Sequence, residues 1–472
     1  MKLDGAVPIK VNNNYYGLET DGKSQFGYTF KLNKAKFSAK LLMYDQNLNI
    51  GKEVKLSGGD KVYGPFLPVL RKIGEKLYFV YYQLADENGF IQLLISEINL
   101  SSLSLKEPVE LLKIEQKNLG LMQAAEVLTD HKLIFAASPD NSKLLTAWSS
   151  GGGNQVFFSV VGEGFKKVKD GTGIAKKESK INLTNACINN SGTVAICYSN
   201  SKENNSYVLV NGSNSNNIEL NVTIPQGTPC EAFVFATASE IKIAGTYKEN
   251  SDNLSGVFTQ TLDINDVKLS TPVKTVFPKW LVEQFDNDGW ARTKAKDYGL
   301  TNYLNITPLI LADGSIDLVG EFRRTETTQK WAYRIAGGIL DIHFKNDGVV
   351  FGRIPKGRVS AGSDIGDSFY PVAFKDQVII FYNDHESNVK KDITKSPDRS
   401  DNYKNSVLVA ATISADGTVK REILMDLSSD NYLPVAENLQ RLSQSSVLIP
   451  VRKIKGMGKV DDDFKWGVIE IQ

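Results

Sequence analysis

The run FYNDHESN, residues 381–388, gathers more potential ligands and proton carriers than any other stretch of the chain. Asn383, Asp384, His385, Glu386 and Asn388 sit within six positions, and the whole sequence holds three histidines. Two chemistries suit such a run. A metal would need further oxygen or imidazole ligands from elsewhere, yet His131 and His343 fall in distant segments. The other reading is a polar loop whose Asn and Asp side chains bond nearby backbone and can offer their outer atoms to a partner. The sequence favours the second.

Other segments invite the same weighing. Glu321, in LVGEF, stands on an otherwise apolar stretch, and a carboxyl buried there without a partner would be harder to ionise. DNDG at 286–289 lacks the spaced ligands and closing Glu of an EF-hand loop. DDD at 461–463 reads as an acidic loop. SAGSDIG at 360–366 is not a nucleophile elbow, which would read G-x-S-x-G. There is no P-loop and no dinucleotide fingerprint, so no cofactor is expected. Cys187, Cys197 and Cys230 form no C-x-x-C pair. Cys187 and Cys197 flank the turn at Ser191-Gly192, as buried thiols or as partners across a hairpin.

Bulk properties narrow the function classes. Lys and Arg number 55 against 54 Asp and Glu, a balance unlike the basic stripe of a nucleic-acid binder. No apolar run reaches the roughly 20 residues of a membrane helix, so no transmembrane segment is expected. The start, MKLDGAVPIKV, has no export signal.

The elements that must position these residues repeat. Short apolar runs recur as units of four strands, the fourth weaker and the last unit supplying three, beginning near Tyr15, Phe66, His131, Asn185, Glu231, Leu304, Tyr370 and Leu433. Turns such as TDGKS, NNSGT and ADGS join first to second strands, as hairpins demand. The second strands, among them LYFVYY, LLTAW, VAICY and VIIFY, do not alternate, so both faces should be covered. The sequence therefore predicts an all-β chain, a single β-propeller of eight blades with seven as the alternative. AVPIKV at 6–11 would pair with the C-terminal blade and remove an exposed edge.

Second-to-third-strand connections read longer than the hairpin turns: RRTETTQK, NDHESNVKKDITKSPDRSDNYKN and KIKGMGKVDDDFK are the extremes. A helical insertion at 277–300 begins PKWLVEQF, whose Pro and spacing of Trp280, Leu281 and Phe285 predict a short helix. These segments should decorate one rim with Trp280, Trp290, Tyr298, Trp331 and Tyr403. Function tends to sit on elaborated loops of a rigid scaffold.

Between about 298 and 390 the chain resembles a group of uncharacterised exported bacterial β-propeller-like proteins. The resemblance rests on YGLTNYLNITPLILADGSIDLVGE, GGILDIHFKNDGVVF, RIPKGR and DQVIIFYNDHESN. The shared elements fall on Gly299, Leu300 and Tyr303; Asp313, Gly314 and Glu321; Ile354, Pro355 and Lys356; and Asn383, Asp384 and Asn388. One departure is VVFGR before Ile354, where the group commonly has Trp. The likeness implies an extracytoplasmic setting, in the envelope or secreted, with an export signal missing from this chain. It implies no activity.

The expectation is a non-enzymatic scaffold that binds a protein or glycan through its long-loop face. Candidate contact residues are Asn383, Asp384, His385, Asn388, Trp331, Trp280, Trp290 and Glu321. The alternative is a polysaccharide hydrolase or lyase with carboxylate catalysis by Glu321 and Asp384.

Overall fold

The computed structural model describes residues 14–20, 25–33, 36–44, 50–56, 62–73, 76–85, 90–115, 133–149, 155–162, 166–174, 181–200, 205–212, 216–249, 251–293, 297–327, 332–345, 348–361, 369–398, 406–426, 432–436, 439–441, 446–455 and 459–471. Among them the chain is all-β, built from antiparallel sheets of four or five strands taken largely in sequence order. Eight such sheets are present, with a two-stranded pair at Ala291–Arg292 and Gly299–Leu300. Every unit start expected from the sequence lies in or beside a sheet's first strand: Asn14–Thr20, Val62–Ile73, Leu133–Ala137, Ile181–Ile188, Thr228–Ala236, Leu304–Ile310, Phe369–Phe374 and Tyr432–Pro434. The segment at 6–11 lies outside the described residues.

Two compact units divide the chain. One falls within Val11–Gly245 and Thr259–Val273, the other within Thr246–Phe258 and Lys274–Gln472. In the first, one core joins Leu41, Phe79, Ile95 and Leu144, and a second joins Leu145, Phe158, Ile188 and Ile196. Neighbouring residues Leu144 and Leu145 thus enter different cores. Cys187 and Cys197 are buried free thiols. They do not oppose each other, since Cys187 pairs with Ala195 and Cys197 with Asn185. Burial pushes both thiols up, and Cys197 donates to the Ala232 carbonyl at 3.1 Å.

The second unit shows why its second strands lack alternation. On Gln377–His385, Val378, Ile380 and Tyr382 enter one core with Val319, Ile339 and Val409. Ile379 and Phe381 enter another with Leu408, Val447 and Ile449. Both faces are dry, and each large apolar side chain contributes roughly 1.5–3 kcal/mol on burial. Polar turns close the hairpins. In ADGS, Gly314 takes φ 83°, a conformation costly for any residue with a Cβ. Asp313 accepts from the Ser315 amide at 2.9 Å, and with the Ser315 hydroxyl this holds its carboxyl below the usual range.

Two expected loops are strands. The ladder of Ile316–Thr327 with Ala332–Lys345 continues to Thr327 opposite Ala332. Likewise Ser446–Lys455 pairs with Lys459–Glu470, which places residues 461–463 in a strand. Polar residues can line an exposed ladder as readily as a loop, and Thr and Tyr favour it. A bulge between Glu321 and Arg323 lets the first of these hairpins run on beyond the core.

The helix arises where expected, at Lys279–Asn287, with Pro278 as its N-cap. Its buried stripe is Leu281, Val282 and Phe285, while Trp280 is 45% exposed. DNDG ends it through hydrogen bonds. The Trp290 amide donates to the Phe285 carbonyl at 2.8 Å and the Gly289 amide to Asp286 at 2.9 Å, with Gly289 at φ 83°. That pairing is the Schellman arrangement, in which the residue after the glycine packs back onto the helix. Trp290 does so. It and Phe285 both lie against Phe322, with centroids 5.6 and 4.8 Å away. Gly337 makes the room, since a Cβ there would meet the Trp290 ring at 2.2 Å.

Candidate functional site

The residues of NDHESN come together, but inward. Asn383, Asp384 and Asn388 are all buried. Asn388 donates to the Asp384 carboxylate at 3.0 Å and to the Asp398 carbonyl at 2.9 Å, and accepts from the Asp398 amide at 2.8 Å. Asp384 also accepts from the His385 amide at 2.8 Å. Asn383 donates to the Pro434 carbonyl. His385 caps the short helix Glu386–Lys390, its Nδ1 accepting from the Ser387 amide at 3.2 Å. Arg421 also binds the loop, donating to the carbonyls of Asn388 and Lys391. This constellation folds residues 386–398 back on themselves. Its polar atoms face each other, so the expected contact surface is a brace.

Glu321 is likewise inside, fully buried, and it has partners. Lys356, also fully buried, pairs with one carboxylate oxygen and Arg323 Nε reaches the other at 2.5 Å. Arg353 performs a similar service nearby in sequence. It pairs with Asp288, donates to the Ile393 carbonyl at 2.6 Å and lies over Phe285. The RIPKG segment thereby ties the helix end and the 386–398 loop to the sixth sheet.

The same face of that sheet carries a polar seam. Asp317 and His343 are cross-strand partners joined at 2.7 Å, and Asp341 lies opposite Val319. All three are buried. Burial holds Asp341 well above the usual carboxylate range, reinforced by the charge of Asp317. Asp317 is raised by burial too, with His343 opposing the shift. Among the described residues no group of three His, Cys, Asp or Glu side chains is arranged to hold a metal ion.

The opening in this region lies elsewhere, on the hairpin that the sequence disguised as a loop. A cavity of about 350 Å³ is lined by Tyr303, Arg323, Arg324, Thr325, Arg334, Ile335 and Ala336. Arg323 pairs with Ala336 and Thr325 with Arg334, so these four share one face of the ladder. Arg324 points to the other face. Its guanidinium sits 4.7 Å from the Trp290 ring centroid, meets Glu326 at 2.7 Å and donates to the Gly289 carbonyl. A cation over an indole face is attracted by the ring quadrupole. The Arg323 amide bonds the Tyr303 carbonyl at 2.9 Å, which fixes the tyrosine's backbone beside the bulge. Tyr303 itself is 55% exposed.

Of the sequence candidates, then, Asn383, Asp384, His385 and Asn388 form one cluster. Glu321 supports the cavity through Arg323, and Trp290 supports it through Arg324. Trp290 is buried, because its position after Gly289 turns it under the helix rather than onto a rim. Trp280 lies on the exposed face of the helix, with Lys279 and Glu283, and Trp331 lies outside the described residues. Tyr303, Arg323, Arg324 and Arg334 were missed as site residues, and nothing around Tyr303 marked it out as a contact residue. For the arginines the signal was present in RRTETTQKWAYR: read as a hairpin with β-forming Thr and Tyr, it sets Arg against Thr across the turn.

Among the described residues no helix is long and apolar enough to cross a membrane. No family model matches the chain, and no curated protein does. Solved structures similar to it include a prolyl endopeptidase, at 10% identity and TM-score 0.40 over 94% of this chain and 54% of that one. The chain thus spans about half the length of that protein. A polysaccharide lyase, Uly1, is similar at 12% identity and TM-score 0.38 over 99% and 100% of the two chains. A fucose-specific lectin from Aleuria aurantia is similar at 10% identity and TM-score 0.29 over 73% and 96%.

Proposed function

We propose that this chain is a β-propeller binding protein of the cell exterior that holds a glycan in the cavity beside Tyr303. The observation that carries the reading is the composition of that cavity: the exposed ring of Tyr303 beside a paired hairpin that contributes Arg323, Thr325 and Arg334 from one face. Sugar rings present an apolar face to aromatic side chains and oxygen atoms to fixed donors. Ligand pockets of about 300–1,000 Å³ with a few placed polar groups are the usual form of such sites. The propeller assignment is supported by eight successive sheets and by second strands dry on both sides. The extracytoplasmic assignment is supported by the resemblance over 298–390.

Binding is favoured over catalysis by what the described cavity lining holds. No carboxylate, imidazole or thiol belongs to it, whereas a catalytic pocket gathers titratable groups. Glu321 and Asp384, the carboxylates of the hydrolase or lyase alternative, are buried in hydrogen bonds and ion pairs. The test is a glycan array on the intact protein, followed by calorimetry with Tyr303→Ala. Saccharide binding that is lost in the variant supports the reading. An array without a hit, or a hit indifferent to Tyr303, sinks it.

A further inference from the structure

We propose that Lys169 is a covalent attachment site for small aldehydes, its side-chain amine forming an imine at the junction of the third and fourth sheets. The site lies in the first compact unit and stands independently of the glycan reading.

The run KKVKD, residues 166–170, places three lysines together, and the ladder treats them differently. Val161 pairs with Lys167 and Val160 with Lys169, so Val168 is an extra residue in its strand, Lys167–Ile174. Such bulges re-aim side chains. Lys167 forms an ion pair with Asp170. Lys169 instead crosses to the fourth sheet, where its Nζ donates to the Asn211 carbonyl at 3.1 Å and the Gly212 carbonyl at 3.5 Å. A chain of side-chain amides ties these acceptors to the lysine's own strand. Asn211 Nδ2 donates to Asn217 Oδ1 at 2.8 Å, and Asn217 Nδ2 donates to the Thr172 carbonyl at 2.9 Å.

That setting suits a neutral amine, which owns two N–H bonds and so keeps both carbonyl contacts with its lone pair left over. An ammonium carries a third N–H, and among the described residues no carboxylate pairs with Lys169, Asp170 being engaged by Lys167. Partial burial without a counter-charge disfavours the charged form and holds this amine down at about 8. A lysine desolvated in this way is an activated nucleophile toward carbonyl compounds. There is room for a product, since a Cβ built on Gly212 would meet nothing within 4 Å. In the reaction the Nζ lone pair attacks the aldehyde carbon, and the carbonyl oxygen becomes a hydroxyl. One water then leaves with the aldehyde oxygen and both amine protons. A C=N bond remains, with nothing oxidised or reduced.

The test exposes the intact protein to acetaldehyde and cyanoborohydride at pH 7, the second reagent delivering hydride to any imine and fixing it as a secondary amine. Peptide mapping by mass spectrometry then follows each lysine. Lys169 should be labelled at least about tenfold faster than Lys76 and Lys106, which are exposed and ion-paired with Glu97, because an ordinary lysine near 10.4 is almost wholly protonated at that pH. The lead should narrow as the pH is raised toward about 10.4. Gly212→Val, which fills the space beside the amine, should slow Lys169 severalfold and leave Lys76 unchanged. Labelling of Lys169 no faster than that of Lys76, a lead that does not narrow with pH, or a Lys169 rate indifferent to Gly212→Val would each overturn the proposal.

Discussion

The two polar connections at 386–398 and 323–336 look alike as strings of residues and behave oppositely in space. The first spends its polar atoms on itself: Asn388, Asp384 and Asp398 bond one another, and Arg421 bonds the backbone they shape. The second needs no side chains to hold its backbone, which is already paired as a ladder. Arg323 and Arg334 line an opening on one face of it, beside Tyr303. A loop that must hold an irregular backbone consumes its side chains in doing so, since buried backbone groups need partners. A hairpin does not. Side-chain chemistry is freer on the element that looks structurally dull.

The contrast predicts a double dissociation, and the largest effect tests the buried carboxylate at the base of the second connection. Glu321→Ala removes the carboxylate partner of a fully buried lysine. Breaking one side of a buried pair costs about 3–5 kcal/mol. Chemical denaturation should show that loss, and any protein that remains folded should bind saccharide more weakly, because Arg323 has lost its ion-pair partner Glu321. A stability change below about 1 kcal/mol would mean that Lys356 draws little from Glu321.

Next in size is the brace. Asn388→Ala leaves the Asp398 amide and carbonyl and the Asp384 carboxylate each short of one bond. A loss of about 2–3 kcal/mol is expected in the denaturation midpoint analysis. Saccharide affinity should be unchanged. If Asn388→Ala instead weakens binding without moving the midpoint, the brace and the site have been assigned the wrong way round.

Much of the frame was legible before any coordinates. Strand positions follow from apolar runs between Gly, Asn, Asp and Ser turns, and the unbroken second strands announced burial on both faces. The helix at Lys279–Asn287 was legible from Pro278 and its periodicity, although the stripe begins at Leu281 and excludes Trp280. What composition hides is the difference between an exposed ladder and a loop. RRTETTQK is polar in either state, and only the pairing partner on the other strand decides. Burial of a polar residue is equally hidden: nothing adjacent to Glu321 reveals that Lys356, thirty-five positions on, neutralises it. Trp290 shows the same blindness, since its burial comes from the glycine before it and the Gly337 gap.

A smaller effect should appear in the polar seam on the sixth sheet, which faces the core rather than either connection. Asp341 is held above the usual carboxylate range in the folded chain, and it would ionise near 3.9 once unfolded. Folding therefore takes up a proton over that interval. Its favourable contribution is complete below about pH 3.9 and is lost as pH rises through the raised folded value. Asp317 is raised in the same direction, and His343 and Asp313 are the charged groups that influence it. Asp341→Asn should thus gain on the wild type as pH increases from 4 toward neutrality, read as a growing difference in thermal midpoint. A constant difference across that range would show that Asp341 ionises normally in the folded protein.

The smallest expected effect discriminates most sharply between reading composition and reading geometry. Trp280 is the most conspicuous aromatic of the insertion, and 45% of it is exposed on the helix face away from Leu281, Val282 and Phe285. It makes no part of the cavity lining. Exposed positions without buried partners change stability by no more than about 0.5 kcal/mol, so Trp280→Ala should leave the denaturation midpoint and the saccharide affinity where they were. Tyr303→Ala, an equally exposed aromatic, should leave the midpoint and abolish the affinity. If the tryptophan variant loses binding while the tyrosine variant keeps it, the contact face lies on the helix and the hairpin cavity is only a gap between strands.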